Sequence, residues 1–211
     1  MKLKTKILLK AIELFNEEGI ANVSPNKIAE SLDISVGNLT YHYKTKLDLV
    51  TAIFERMIDE SKDYLGFNTK PASLMELTKI LGNFRTLQID YNFIFIDNVF
   101  ITRKYPTIGE LFKQLSLKRF ENGRKLIDAL IESKRVIPEN KYTNYNNLVH
   151  VIWFINIYWS SQDQLLQNHL NNTNTTISTE IIWNLIYPYL TPLGKKEYEE
   201  INAYKNNVLN N

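Results

Sequence analysis

The chain has 211 residues, of which 44% are hydrophobic and 23% charged, a composition typical of a globular protein with a substantial buried core. It contains no cysteine, which excludes internal disulfide bonds, thiolate metal sites and cysteine nucleophiles. The net charge of +2 is too small to indicate nucleic-acid binding by itself. The most apolar run, residues 148–159, is shorter than the ~20 residues that span a bilayer, and no signal peptide is evident, so we expect a cytoplasmic protein with no membrane contact.

The first predicted helix runs from about Lys4 to Glu18 and stops at Gly19. Its apolar residues recur at helical spacing, so it should pack against the elements that follow. Two short helices joined by a tight turn come next. Ser24 is a good N-cap for the first of them, with Pro25 at the first helical position.

The second short helix is predicted to begin after Ser35, another N-cap whose hydroxyl can also reach a phosphate. Leu39 and Tyr43 lie four residues apart on its inner face. Small and hydrogen-bonding side chains therefore point outwards near its N-terminal end, the part of a recognition helix that meets bases in the major groove. A third helix follows at once, because Thr45 and Asp48 have the spacing of a capping box.

The segment from Ile28 to Val50, IAESLDISVGNLTYHYKTKLDLV, resembles the DNA-binding signature of the TetR family of bacterial transcriptional regulators. The shared pattern is an Ile-Ala pair, a Ser-x-Gly opening of the recognition helix, an aromatic-His-aromatic triplet and a Lys soon afterwards. Two positions depart from it. Asp33 replaces the usual turn Gly, and Asp tolerates a left-handed backbone better than most residues. Tyr43 replaces a commoner Phe and adds a hydroxyl that needs a partner.

Several side chains of this segment suit DNA contact by their chemistry. Gly37 allows the helix backbone to approach the duplex closely. Val36 and Thr40 can offer a methyl group to thymine, and Thr40 and Asn38 can hydrogen-bond base edges. Lys27 lies in the first turn of its helix, where the helix dipole favours an acid, so we interpret it as a phosphate contact.

The resemblance implies further phosphate contacts from Tyr41, His42 and Lys46. The predicted partner is double-stranded DNA. The candidate DNA-binding residues are Ser24, Lys27, Ser35, Val36, Gly37, Asn38, Thr40, Tyr41, His42 and Lys46.

Beyond a linker at residues 66–71, every segment has helical periodicity and no strand pattern appears. The predicted fold class is therefore all-α, with a three-helix head containing a helix-turn-helix at residues 1–47 and a larger helical domain at residues 48–211. The helix that Thr45 caps, the fourth of the chain, should reach about Tyr64. An aromatic segment is expected at 91–105 and loops at 139–147 and 171–176. Later helices are predicted at residues 73–90, 108–136, 148–169, 178–190 and 193–204.

The predicted helix at 148–169 is apolar on nearly every side, so it must be buried centrally or covered by a second copy of the chain. The resemblance implies the second arrangement, a homodimer joined by a four-helix bundle. We assign residues 148–169 and 178–190 to that bundle. The two recognition helices would then lie roughly 34–36 Å apart on a palindromic operator.

The resemblance also implies a small effector that binds the C-terminal domain and releases DNA. An apolar or aromatic effector is favoured by the aromatic residues of this half, with a few polar groups as handles. The alternatives are that these aromatics are simply core, or that the effector is a protein or does not exist. The candidate pocket residues are Phe93, Phe95, Asp97, Phe100, Leu115, His150, Trp153, Phe154 and Asn156.

No catalytic constellation accompanies these features. The three histidines, His42, His150 and His169, are scattered, and there is no phosphate-binding loop, nucleophile elbow or paired metal-ligand spacing. We therefore expect no enzyme activity and no cofactor. The sequence predicts a ligand-responsive regulator, a repressor rather than an activator because the family favours repressors. The alternative is a helical interaction protein whose DNA-binding head is vestigial.

Overall fold

The computed structural model describes residues 1–62, 72–166 and 177–209 of the chain. These residues form eleven α-helices and no strand, which confirms the all-α class. A single 3₁₀ turn, Tyr187–Tyr189, separates the last two helices. The helices are α1 (Leu3–Glu18), α2 (Pro25–Ser31), α3 (Val36–His42), α4 (Lys46–Glu60), α5 (Leu74–Asp90), α6 (Asn92–Ile96), α7 (Asn98–Lys104), α8 (Pro106–Glu132), α9 (Tyr145–Leu166), α10 (Ile177–Ile186) and α11 (Pro192–Leu209).

The helices group into two compact units, one made of residues 1–63 and 86–114 and the other of residues 64–85 and 115–211. The predicted functional division at residue 47 stays a prediction. The first unit is larger than the predicted head because α4 and α6 both pack against α1. Phe15 of α1, for example, meets Phe93 of α6 edge-on with 5.1 Å between ring centroids.

The head packs around the apolar face of α1, on which Ile7, Ala11 and Phe15 are completely buried. Both motif helices contact this face, and Ile28 of α2 and Leu39 of α3 are the residues that they bury most fully. Each such side chain contributes about 1.5–3 kcal/mol through removal of apolar surface from water. The short motif helices are therefore held by tertiary packing, since helices of seven residues are unstable alone.

The second unit has its own apolar core, contributed by α5, α8, α9, α10 and α11. Helices α8 and α9 approach most closely at Gly123, where an added Cβ atom would lie 2.9 Å from Cγ1 of Val149. The absence of a side chain at this position allows the two helix backbones to come together. Gly123 is thus a packing residue in the described unit.

Several helix ends differ from the predicted ones. Helix α8 ends at Glu132, not at Val136, because Lys134 adopts a left-handed backbone with φ of 60° and turns the chain. The residues after it pair with the 3₁₀ turn that follows α10: the Ile137 N–H donates to the carbonyl of Tyr189 at 2.9 Å. Helix α9 begins at Tyr145, inside the predicted loop, since Glu139 accepts from the Tyr145 N–H at 2.9 Å.

The aromatic segment 91–105 forms the two short helices α6 and α7. Helix α4 ends at Glu60, whereas its predicted end at Tyr64 lies outside the described residues. The predicted loop at 171–176 and the predicted end of α9 at His169 also lie outside them.

Candidate nucleic-acid interface

Helix α3 has one anchored face and one free face. Leu39 is only 2% exposed and Tyr43, directly after the helix, is 5% exposed. On the opposite face Tyr41 is 83% exposed, and Val36, at the first position of the helix, is 39% exposed. Gly37 is exposed between them. The helix therefore presents an open surface on a firmly packed base.

Three predicted caps fix the ends of the motif helices. The Ser24 hydroxyl accepts from the Lys27 N–H at 3.2 Å, and the Ser35 hydroxyl accepts from the Asn38 N–H at 3.1 Å. Thr45 and Asp48 form the full capping box at 3.1 and 2.8 Å. Each cap is worth about 1 kcal/mol. The hydroxyl hydrogens of Ser24 and Ser35 are not used in these caps and remain donors for an anion.

The turn between α2 and α3 depends on Asp33, whose φ of 52° is left-handed. The Ile34 N–H donates to the Ala29 carbonyl at 3.0 Å across this turn. The expectation that Asp can replace the usual Gly here is confirmed. The turn sets the direction in which α3 leaves α2.

Thr40 uses its hydroxyl hydrogen within the helix. Its Oγ1 donates to the carbonyls of Val36 at 3.0 Å and of Gly37 at 3.2 Å. In this arrangement the hydroxyl can only accept a further hydrogen bond, and the methyl group remains free. Thr40 is therefore suited to the methyl of thymine or to an amino donor on adenine or cytosine.

Tyr41 and His42 lie side by side at the end of α3, with their rings edge-on and 5.2 Å between centroids. Tyr41 is largely exposed and His42 half-buried. The exposed Lys44 follows them. These residues form a rim of hydrogen-bond donors beside the free face of α3.

Lys27 has a partner that the sequence did not reveal. Its ammonium group forms a salt bridge with the Glu18 carboxylate at the end of α1. This pair compensates the cation in the first turn of α2, so the helix-dipole conflict that we interpreted as evidence for a phosphate is resolved within the protein. That argument for Lys27 is corrected.

Lys46 likewise has an internal role. Its ammonium group donates to the carbonyls of Ile20 and, at 2.6 Å, of Val23, and it lies 5.4 Å from the ring centroid of Phe15. Burial, and secondarily the charge of Lys104, lowers its pKa below the usual value. Two of its three N–H donors thus hold the α1–α2 connection, which leaves one for a phosphate.

Helix α6 holds the end of α1 through polar contacts that sequence reasoning missed. The Asn16 amide donates to the Asp90 carbonyl at 2.9 Å and accepts from the Phe93 N–H at 3.0 Å. The Asp97 carboxylate accepts from the Ile20 N–H at 3.2 Å. A long-range pairing of this kind has no local sequence signal, because 77 residues separate Ile20 from Asp97.

The second unit contains a cavity of about 130 Å³ with an almost wholly apolar lining from α5, α8, α9 and the end of α10. Of the predicted pocket residues, Trp153 and Asn156 line it. The structure does not bring the other seven to this cavity. Its polar lining also includes two residues of α8 that the prediction missed, Arg119 and Asn122. In the sequence, Arg119 lies at helical spacing with Leu126 and Leu130, on the same face of the predicted helix. A cation on this otherwise apolar face was the sequence feature that could have identified it as a pocket residue.

The remaining predicted pocket residues have other surroundings, and the expectation that they share one pocket is corrected. Phe93, Phe95 and Asp97 belong to the first unit, where both phenylalanines are 2% exposed and pack as core. These three were assigned to a pocket because aromatic density alone does not distinguish a core from a cavity wall.

The other four lie nearer the surface. Phe100 is 39% and Phe154 62% exposed. His150 is exposed and stacks on Phe120 with 4.0 Å between ring centroids, and Leu115 is half-buried.

One face of α9 is unusually apolar for an exposed surface. Val151, Phe154, Tyr158 and Leu165 are 45%, 62%, 40% and 74% exposed, and their spacings of 3, 4 and 7 residues place them on one side of the helix. These exposures contradict the alternative in which the helix is buried centrally within one chain, and its cover by a second copy stays a prediction. We call this set the α9 face.

Neither a group of potential metal ligands nor a membrane-spanning helix is present among the described residues. No group of three His, Cys, Asp or Glu side chains in the described ranges is placed to hold a metal ion. None of the helices in that part of the chain is long and apolar enough to cross a membrane.

Two family profiles match this chain. The profile described as "Bacterial regulatory proteins, tetR family" matches residues 7–53, and the TetR profile described as "Bacterial transcriptional repressor" matches residues 50–198. Curated relatives include an HTH-type transcriptional regulator of Staphylococcus aureus strain USA300, which is 45% identical over 49 residues, or 23% of this chain. The chain matches only 26% of that relative's length, so the likeness is confined to one segment.

Solved structures share the whole fold. A TetR-family transcriptional regulator from Marinobacter aquaeolei VT8 superposes with a TM-score of 0.85 at 23% identity, covering 97% of this chain and 98% of the other. CprB, a TetR family protein from S. coelicolor A3(2), gives 0.69 at 16% identity with 95% and 94% covered. NalD, a repressor of an efflux pump in Pseudomonas aeruginosa, gives 0.60 at 16% identity with 90% and 96% covered.

Proposed function

This chain belongs to the tetR family of bacterial regulatory proteins, and from that premise we propose that it is a dimeric repressor that binds a palindromic operator and is released by a small molecule. It acts by binding and not by catalysis. The curated relative in S. aureus is an HTH-type transcriptional regulator, and the solved relative NalD is a repressor. Both support a role in transcription.

The observation that carries the proposal is the division of α3 into a buried and an open face. Leu39 and Tyr43 anchor the helix, while Val36, Gly37 and Tyr41 are exposed without packing over them. A helix held this way can enter the major groove with no rearrangement of its base. Thr40 and Val36 would contact base edges, and the rim of Tyr41, His42 and Lys44 would contact phosphates.

The α9 face supports the dimer. Exposed apolar residues that share one side of a helix are typical of an interaction surface, because a partner that covers them removes apolar area from water. An isologous dimer does this with the same face of a second copy. It also supplies the second recognition helix that a palindrome requires.

Effector release requires that a ligand bind one arrangement of the dimer more tightly than the other. The cavity of the second unit is a site for such a ligand. Helices α5 and α8 each contribute residues to both units and line the cavity with residues of the second unit.

The proposal is tested with fragments of the source genome. Protein immobilised at sub-micromolar concentration selects bound fragments, which are sequenced and then assayed by fluorescence anisotropy beside a scrambled duplex. We expect one palindromic class bound at least about 1,000-fold more tightly than the scrambled duplex. Equal affinity for all duplexes would support the alternative, a helical interaction protein with a vestigial head.

A further inference from the structure

The cavity of the second unit contains a cation for which the described residues supply no counter-charge. Arg119 of α8 belongs to the lining, and its Nε is buried without a hydrogen-bond partner in the described part of the chain. No carboxylate among the described residues forms a salt bridge with it. Its described neighbour is the ring of Phe84, whose centroid lies 5.9 Å from the Arg119 Cζ.

An unpaired guanidinium in the cavity lowers the stability of the protein without a ligand. A buried guanidinium loses its hydration, and a cation–π contact at this distance restores only part of it. Burial lowers the pKa of Arg119 to about 10, so the group is still positively charged at neutral pH. An anion that enters the cavity would supply the missing charge and accept the unused N–H donors.

The cavity has a polar end and an apolar end. Gly123 of α8 faces Val149 of α9, so residues before Gly123 share one end of the cavity with residues after Val149. Arg119 and Asn122 therefore lie toward Asn156 and Trp153. The opposite end is lined by Leu126, Leu130, Val136, Tyr145 and Ile186.

The volume of the cavity and the single charge of Arg119 restrict the class of ligand further. A volume of about 130 Å³ is close to the roughly 150 Å³ of an apolar cavity that holds a benzene ring. One guanidinium balances one negative charge, whereas a phosphate dianion would need a second cation, and the described lining contains no other. A carboxylate matches the guanidinium fork with two parallel hydrogen bonds.

We propose that the effector of this regulator is a small amphipathic carboxylate, with its acid group on Arg119 and its apolar body among the leucines of α8. This rests on the proposed function in so far as the ligand is to control DNA binding. The acid selectivity of the cavity is a property of the second unit and does not depend on the operator.

The test compares acids with their uncharged isosteres. Isothermal titration calorimetry measures the binding of phenylacetate and hexanoate, each beside its primary amide, to the full chain and to three variants, one of which is Arg119→Lys. Arg119→Met removes the charge at similar length, and Lys118→Met removes an exposed charge from the same turn as a matched control.

We expect at least one acid to bind the unmodified chain about tenfold more tightly than its amide. Lys118→Met should keep this preference and Arg119→Met should reduce it to near one. Arg119→Lys, which keeps the charge but not the fork, should retain a preference of only about two- to threefold. Thermal melting of Arg119→Met should not fall below that of the unmodified chain, because the substitution removes an unpaired buried charge.

Three results would overturn the inference: equal binding of acids and amides, a preference that persists in Arg119→Met, or no binding of either acid up to about 10 mM. Operator affinity is measured on the same samples without ligand. This measurement distinguishes a wrong ligand class from a wrong proposed function. Loss of acid selectivity with an intact operator complex refutes the ligand class alone. Acid selectivity without any operator refutes the repressor alone.

Discussion

Tyr41 and Tyr43 are two residues apart but have opposite environments, 83% and 5% exposed. The Tyr43 hydroxyl, which the sequence left without a partner, donates to the Lys4 carbonyl at 3.4 Å, and burial raises its pKa. The Lys4 ammonium lies 5.6 Å from the centroid of the same ring. Tyr43 is therefore a packing residue that joins α1 to the end of α3, whereas Tyr41 is free to contact DNA.

Alanine substitutions of Tyr41 and Tyr43 form a matched test of these two roles. Tyr41→Ala should leave the free energy of unfolding within about 0.5 kcal/mol of the unmodified value and weaken operator binding. Tyr43→Ala should lower the free energy of unfolding by about 3 kcal/mol, because it removes a buried ring. Urea denaturation and fluorescence anisotropy measure the two quantities. Destabilisation by Tyr41→Ala would contradict the assignment of that ring to the open face.

Single residues also show where sequence reasoning succeeds. The caps at Ser24, Ser35 and Thr45 were predicted because they depend on partners three residues away. The salt bridge of Lys27 with Glu18 and the carbonyl contacts of Lys46 were not predicted. Their partners belong to other elements, so no local pattern specifies them.

Helices α8 and α9 approach each other closely at Gly123, which together with Val149 lines the cavity of the second unit. Gly123→Ala would place a Cβ atom 2.9 Å from Cγ1 and 3.4 Å from Cγ2 of Val149, and a β-branched side chain in a helix has little freedom to rotate away. A smaller side chain at position 149 should therefore relieve the steric clash.

We expect Gly123→Ala to lower the free energy of unfolding by about 1–3 kcal/mol through overpacking. Val149→Ala alone should also destabilise, by removing buried apolar atoms. The double variant should be more stable than the sum of the two effects predicts, by about 0.5 kcal/mol or more. Urea denaturation of the four chains measures this coupling, and strict additivity would contradict the contact.

In the dimer that we propose, the α9 face joins the two subunits and so brings the two recognition helices together. Phe154 is at its centre and is 62% exposed in one chain. Charged side chains are depleted from interface cores, because burying a charge without a partner is costly.

Phe154→Glu should weaken the dimer at least tenfold, measured by sedimentation equilibrium, and lower operator affinity in the same protein. Tyr142→Glu is the control, since Tyr142 is equally aromatic, 84% exposed and outside the α9 face. The control should leave both the dimer and the operator complex unchanged. A dimer that tolerates Phe154→Glu would place the interface elsewhere.

Local patterns in the amino-acid sequence were sufficient for the all-α class, the order of the helices and the helix-turn-helix, because caps, helical periodicity and turn residues act over three to seven positions. The cavity of the second unit could not be predicted in this way: of nine expected pocket residues, Trp153 and Asn156 line it. Aromatic side chains fill cores and cavities alike, and only the tertiary packing decides which. The same packing buries the Arg119 Nε without a hydrogen-bond partner among the described residues. It also joins Asn16 to Phe93 and Asp97 to Ile20, since such contacts depend on which distant segments meet.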